Sequence, residues 1–385
     1  MNRKRSGKVV VMHLAARYPL AGVMWQLLHH LIGFRQLGID VYYIEDSCGE
    51  WLYDPYINDL TADPNRNLKF LADTLGAYGF QEHWAFFFDR ARQQHYGMEP
   101  QRALELLTDA DAVVNLCGAT HPRDQLLRNR CLVYLETDPG DNAVRRPEFM
   151  AAHKLHFTYA YNIGASDCIL PTGSIHWHRT RPPVLLDQWH PGTGPAEPTT
   201  FSTVGTWQNK GHDIQIGGDT YHWSKHLNFR KLLEVPRRTG QPMQLATDLN
   251  SGPDYERAVG GGFKILPAVP MSLNLDSYRQ YISASRGEFT AAKDLPVRTR
   301  SGWFSDRSAC YLAAGRPVIT QRTGYEKFIP TGVGLLGFDD ADEAAEAVRA
   351  VNADYANHVK TAREIAYEYF DAMKLLDEIA QASGL

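Results

Sequence analysis

No two cysteines in this chain stand in a C-x-x-C arrangement. The five that occur, Cys48, Cys117, Cys131, Cys168 and Cys310, are odd in number and widely spaced. That pattern argues against zinc ribbons, redox dithiols and a disulfide framework, and it fits a reducing cytoplasm. No run of about 18 apolar residues occurs, so no membrane-spanning helix is expected. The stretch from Met1 to Lys8 is basic and polar, but the apolar run behind it, Val9 to Leu14, is short for a secretory signal and lacks a small-residue cleavage site. It reads as a frayed tail before the first strand. An excess of one charge is also missing: the net charge of -4 gives no reason to expect a polyanionic partner, so nucleic acid is not an expected ligand. Fifteen histidines are present, yet neither His29-His30 nor His176-Trp177-His178 has the i, i+4 spacing and adjacent Glu of a zinc-binding helix. No metal site is expected there, and these histidines read as amphipathic surface residues.

What is present points to an enzyme-sized α/β protein. At 385 residues, two domains of ordinary size are expected, each able to bury its own core. The hydrophobic fraction of 44% and the charged fraction of 22% are those of a globular chain. Lys8 to His13 reads as a strand. After a loop through Arg17, Tyr18 and Pro19, Val23, Leu27, Leu28, Leu31 and Phe34 recur at helical spacing until Gly38, and Val41 to Ile44 reads as the next strand. A βαβ unit of this kind opens a doubly wound sheet. Further strands are expected at Ala112 to Leu116, Cys131 to Leu135 and His156 to Tyr161. Trp51 to Tyr96 reads as a loop-rich insertion that decides which ligand is taken, and its aromatics suit a flat or apolar ligand or a core equally.

Prolines and glycines between Arg181 and Thr200 break the pattern, giving a linker over 181–200 between an N-terminal Rossmann-like domain, 1–180, and a second one, 201–356. In the second half, strands are expected at Phe201 to Val204, Gln244 to Ala246, Phe263 to Leu266, Glu288 to Ala291, Pro317 to Thr320 and Gly334 to Phe338. Helices are expected at Leu227 to Leu233, Leu275 to Ala284 and Asp306 to Ala314. The end of the chain, from Asp342 to Ala382, reads as continuous helix with a bend near Tyr369-Phe370, and 357–385 is expected to pack back on the first domain.

Open α/β sheets bind ligands at the carboxyl ends of their strands, so two facing sheets enclose a cleft. The run Arg298 to Tyr325 carries the most chemistry. Its segment Ser301, Gly302, Trp303, Phe304, Ser305, Asp306, Arg307 leads into a helix whose free N–H groups and dipole suit a diphosphate. Arg298, Arg300 and Arg307 are candidates for charge-assisted contacts to it. Gly205, Thr206 and Trp207, after the first strand of the second half, are expected at the same site, as are Lys225 and Lys293. Asp109-Ala110-Asp111 and Asp340-Ala341-Asp342 look like metal-binding D-x-D motifs but read as a turn and a helix cap.

Ala313-Ala314-Gly315-Arg316-Pro317-Val318, followed by Thr323-Gly324, is the pattern in which the chain resembles glycosyltransferases of the GT-B superfold, in particular the group-1-like families. The resemblance implies two Rossmann-like domains facing a cleft, with a C-terminal helix. It implies transfer of a hexosyl-type sugar from a nucleotide-sugar donor, as co-substrate with no further cofactor, to a small-molecule or glycan acceptor. It makes Lys225 the residue that neutralises the leaving diphosphate. Two glutamates that precede this turn in many relatives are replaced here by Gly302 and Cys310, leaving Asp306 or Glu288 as the acids nearest the donor. A base would come from the N-terminal half, with Asp138 and His121 the candidates ahead of His13 and Asp46. The competing readings are a nucleotide-sugar epimerase on the same fold and a GT-B-shaped binding protein without turnover.

Overall fold

A computed structural model describes residues 5–47, 51–89, 92–120, 123–140, 142–189, 198–209 and 211–385. The candidate His121, Cys48 and much of the Pro/Gly-rich segment, including Pro191 and Pro195, lie outside the described residues.

The strands are β1 (Lys8–Met12), β2 (Asp40–Asp46), β3 (Leu52–Asp54), β4 (Asp59–Thr61), β5 (Trp84–Asp89), β6 (Gln94–Gly97), β7 (Ala112–Leu116), β8 (Leu132–Glu136), β9 (Leu155–Thr158) and β10 (Trp177–Arg179) in the first half. The second half adds β11 (Phe201–Val204), β12 (Ile214–Ile216), β13 (Asp219–Tyr221), β14 (Met243–Thr247), β15 (Phe263–Pro267), β16 (Gly287–Thr290), β17 (Val318–Gln321) and β18 (Leu335–Phe338). One sheet runs β10-β9-β8-β7-β1-β2-β5-β6, parallel except for β6, which pairs antiparallel with β5. The other runs β15-β14-β11-β16-β17-β18, all parallel. Each begins at its centre, winds one way and then reverses, which is the doubly wound order, with switch points between β1 and β7 and between β11 and β16.

The short apolar strands are buried on both faces because helices cover both sides, so they read as continuous β-branched runs such as Val9-Val10-Val11. The helix Ala21–Gln36 is apolar nearly all round. One side lies on the sheet and another meets the helix Ala372–Ala382 from the end of the chain, where a Cβ on Gly33 would stand 2.3 Å from Leu376 Cδ1. Glycine at that position lets the two helices approach.

Several expectations need correction. Trp51 to Tyr96 is not all insertion: Trp84–Asp89 is a strand of the main sheet beside β2, and Phe86 is fully buried. Its β-rich run Trp-Ala-Phe-Phe-Phe is a core strand. His29 and His30 are buried rather than surface residues, and Trp189 Nε1 donates to His29 Nε2 at 3.1 Å. That contact also shows that the first part of the Pro-rich segment packs into the N-terminal core, because Trp189 is an apolar anchor lying 5.2 Å from Trp25. The expected helix Leu227 to Leu233 ends early, as His226–Phe229, and a separate short helix, Val235–Thr239, follows it with Pro236 in its first turn. The terminal helical stretch breaks at Phe370, as expected, and also at Asp354, so it forms Ala341–Ala353, Tyr355–Tyr369 and Ala372–Ala382.

Candidate active site

The carboxyl ends of the two sheets face each other, and the loops that leave them carry the charged residues. Asp138 lies two residues past β8, Gly205 directly follows β11, and Lys293 lies three residues past β16. The ammonium of Lys293 sits 3.0 Å from Asp138 Oδ1, an ion pair that crosses from one domain to the other. The same ammonium lies 3.2 Å from the centre of the Trp223 ring. Burial pulls the Lys293 pKa down against the pull of Asp138.

Lys225 caps the short helix His226–Phe229 in the facing loop. Among the described residues no carboxylate pairs with it. Desolvation first, and the nearby Arg307 second, push its pKa down to about 7, while Glu288 pulls the other way. A lysine held beside other cations, with no carboxylate in direct contact among the described residues, is poised for an anion that arrives with a ligand.

Arg307 and Glu288 have a different task from the one the sequence suggested. Arg307 Nε donates to Glu288 Oε1 at 2.6 Å, Nη1 to the Val204 carbonyl at 3.0 Å and Nη2 to Thr290 Oγ1 at 3.1 Å. Glu288 is fully buried and also accepts from Thr203 Oγ1 at 3.0 Å. The guanidinium is committed to fastening β11 to β16 and to the helix Asp306–Ala313, so it is a clamp under the site instead of a ligand for phosphate. A Cβ on Gly205 would meet Arg307 Nη1 at 3.4 Å. Arg298 bonds the Thr220 carbonyl at 2.6 Å and pairs with Asp294, and Arg300 pairs with Asp167 at 3.0 Å and with Glu326 at 3.6 Å. Neither supplies a free cation to the helix end.

The segment before that helix is buried and holds the domains together. Gly302 has φ +78°, and a Cβ there would stand 2.4 Å from the Asn162 backbone nitrogen. Asn162 N donates to the Ser301 carbonyl at 2.9 Å, and Trp303 Nε1 donates to the Thr137 carbonyl at 2.8 Å. Phe304 stacks on Phe370 at 5.0 Å. Ser301, Gly302, Trp303 and Phe304 are therefore interdomain packing, because their apolar rings and close backbone leave no room for a diphosphate. Ser305 is buried at the N-cap position of the helix, and Asp306 lines a small cavity with Gly22, Trp25 and Gln26. Asp306 Oδ1 accepts from the Arg307 N–H at 2.9 Å and Oδ2 from Gln26 Nε2 at 3.4 Å, and burial followed by Asp138 raises its pKa.

The loop after β11 is divided. Thr206 is exposed. Trp207 stacks on Phe229 at 5.5 Å and gives its indole N–H to Asp254 at 3.1 Å, so it belongs to the second core and forms one wall of a small pocket shared with Gly205, Thr206, Lys225 and Thr290. Of the other base candidates, His13 is buried with both ring nitrogens unpaired among the described residues, and burial lowers its pKa to about 3. A nitrogen that weakly basic is a poor proton acceptor at neutral pH. Asp46 is held by Arg123, which lies 4.4 Å over Phe87. Asp340 caps the helix Ala341–Ala353, accepting from the Asp342 and Glu343 N–H groups.

Two participants escaped the sequence reading: Gln26 faces Asp306 from the first helix, and Cys117 sits at φ +59° beside Thr137 with its pKa raised to about 12 by burial. Trp223, from the aromatic stretch that leads into Lys225, supplies a ring to Lys293. The one available signal was a glutamine on an otherwise apolar helix face.

No protein-family model matches the chain, and no curated protein matches it in sequence. Its structure does match solved ones over nearly the whole length. An α-glucosyltransferase in complex with UDP-glucose and DNA containing an abasic site superposes with a TM-score of 0.61 at 11% identity, covering 99% of this chain and 100% of that one. A glycosyltransferase involved in avilamycin A biosynthesis gives 0.58 at 13% identity, covering 98% and 97%. The Anabaena protein HepE, in complex with UDP and glucose, gives 0.58 at 13%, covering 98% and 100%. Likeness at such identities is likeness of fold, and the fold is GT-B: two Rossmann-like domains facing a cleft.

Proposed function

We propose that this GT-B chain is a glycosyltransferase that moves a sugar from a nucleoside-diphosphate sugar to a small-molecule or glycan acceptor. The observation that carries the reading is Lys225, a desolvated amine with no carboxylate partner among the described residues, beside the Lys293–Asp138 pair at the facing strand ends. Two lysines there match the charge of a diphosphate. The solved structures of like fold that hold UDP or UDP-glucose support the choice of donor class.

In the proposed reaction the bond between the sugar carbon and the diphosphate oxygen breaks, and its electron pair leaves with the diphosphate. Lys225 and Lys293 stabilise that developing charge. The acceptor hydroxyl oxygen bonds the sugar carbon, and its proton passes to Asp138, which Lys293 holds in place until the donor competes for the ammonium. Lysine charge takes the role a divalent ion has elsewhere, so the transfer is proposed to be metal-independent.

Gly302 and Cys310 favour one second reading. No side chain fits at Gly302, and Cys310 is buried, so the carboxylates that relatives place at these positions have no equivalent. A binding protein without turnover would show this. A thermal-shift titration with UDP, GDP, dTDP and ADP, each with EDTA and with magnesium, tests donor binding, since ligand at 100 times its Kd adds about 2.7 kcal/mol of stability. Stabilisation by one nucleotide in EDTA supports the donor site. Slow hydrolysis of the matching nucleotide-sugar to water then supports the enzyme, and its complete absence supports the binding protein. No shift with any of the four refutes both readings.

A further inference from the structure

An open groove of about 460 Å³ lies at the domain boundary, and neither Lys225 nor Lys293 lines it. Pro19, Tyr56 and Phe70 line it from the N-terminal domain, and Leu273 and Asn274 from the other. Its volume is that of a site for a small organic ligand. Two of its lining residues, Pro19 and Asn274, come three and four residues before Gly22 and Tyr278 in the chain. Gly22 and Tyr278 line the small cavity that also contains Asp306 and Arg307.

Two features define what the groove would hold. Its charges are cancelled locally, Arg66 by Asp54 at 2.9 Å and Lys69 by Asp73 at 2.7 Å, so no free ion invites a charged ligand. Tyr56, which lines the groove, belongs to a stretch with further exposed apolar side chains, Trp51, Ile57 and Leu60 on and beside the β3–β4 hairpin, and Tyr18 stacks against that hairpin at 6.1 Å from Tyr53. Asn67 adds a polar demand. It lines the groove and is fully buried, and its Nδ2 donates to the Ala16 carbonyl at 2.7 Å and the Tyr53 carbonyl at 3.0 Å. Those two bonds fix the amide orientation, and they leave Oδ1 buried with no donor among the described residues. A buried acceptor without a donor is costly and is satisfied when a ligand brings an O–H or N–H.

We infer that this groove is the acceptor subsite and takes the body of an uncharged, flat, apolar acceptor whose far hydroxyl or N–H donates to Asn67 Oδ1. The inference rests on the glycosyltransferase reading, and it excludes a polar glycan as the acceptor body.

The test uses the full chain and 2-naphthol as the probe, by titration calorimetry without donor, alongside 2-methoxynaphthalene, 2-naphthoate and cellobiose. Saturable binding of 2-naphthol is expected, with the methoxy compound about tenfold weaker because it has no proton for Asn67. Thr74→Trp, which fills the groove from a half-buried position on its wall, is expected to weaken 2-naphthol at least tenfold while the thermal shift with nucleoside diphosphate stays unchanged. That unchanged shift also shows that the variant is folded. Phe70→Ala, which removes one apolar wall, is expected to weaken it about tenfold. The inference is overturned if 2-naphthol does not bind, if Thr74→Trp leaves its affinity intact, or if naphthoate or cellobiose binds more tightly. Failure of the nucleotide shift in the parent protein would strike the transferase reading instead, and the naphthol titration would still decide the groove.

Discussion

Replacing Lys225 with methionine keeps most of the apolar stem and removes the amine. With only protein groups around it, charging this amine is disfavoured: its pKa falls from the ordinary lysine value of 10.5 to about 7, a cost of about 5 kcal/mol for the ammonium. A diphosphate reverses that balance. Two results follow, and both are readable by calorimetry with whichever nucleoside diphosphate stabilises the protein. At pH 8 the parent is expected to take up close to one proton on binding, seen as a dependence of the apparent enthalpy on buffer ionisation heat. Lys225→Met abolishes that uptake and weakens binding by about 10- to 100-fold, the loss of one charge-assisted hydrogen bond of roughly 1.5–3 kcal/mol. The free protein responds with the opposite sign. Because the folded state holds this proton less tightly than the unfolded state, the contribution of Lys225 to stability rises with pH between about 7 and the ordinary lysine range, and the variant loses that rise. Lys225→Met with diphosphate affinity within twofold of the parent, or with proton uptake unchanged, refutes the assignment of Lys225 to the phosphate.

Asp138→Asn is expected to lower kcat by about 10²- to 10⁴-fold with donor affinity changed only a few-fold, measured as nucleotide release in the presence of acceptor. An equal loss in donor affinity would make Asp138 part of the donor site and not a base. Glu288→Gln leaves the Arg307 guanidinium buried beside a neutral amide, and a loss of about 3–5 kcal/mol is expected in urea unfolding. A loss below about 1 kcal/mol would refute the clamp. Gly302→Ala adds a Cβ 2.4 Å from the Asn162 nitrogen at φ +78°, so the domain contact must open and the melting temperature must fall. An unchanged melting temperature would show that this contact does not hold the domains.

Much of the fold was readable because the signals are local. Val9-Val10-Val11, the helix running from Val23 to Phe34 and the strand Phe201–Val204 each follow from their own periodicity. The strand Trp84–Asp89 was hidden because a central strand and an aromatic cluster look alike until β2 lies beside it. The break at Asp354 had no proline or glycine to mark it. The site was legible only in part. Lys293 and Asp138 were marked by their places just past strand ends, where ligands bind in such sheets, and Lys225 by the resemblance alone. Which of the basic residues stays free is a property of their neighbours. Arg307 is spent on Glu288, Val204 and Thr290, whereas Lys225 has no counter-ion among the described residues. By itself the sequence determined two α/β halves, their strand-and-helix alternation and a short roster of charged residues near the cleft, since these follow from residue order and spacing. Only the tertiary structure decided that Ser301 to Phe304 hold the domains together, that Asp138 meets Lys293 across the cleft and that Asn67 Oδ1 has no donor among the described residues, because each depends on atoms brought together from distant parts of the chain.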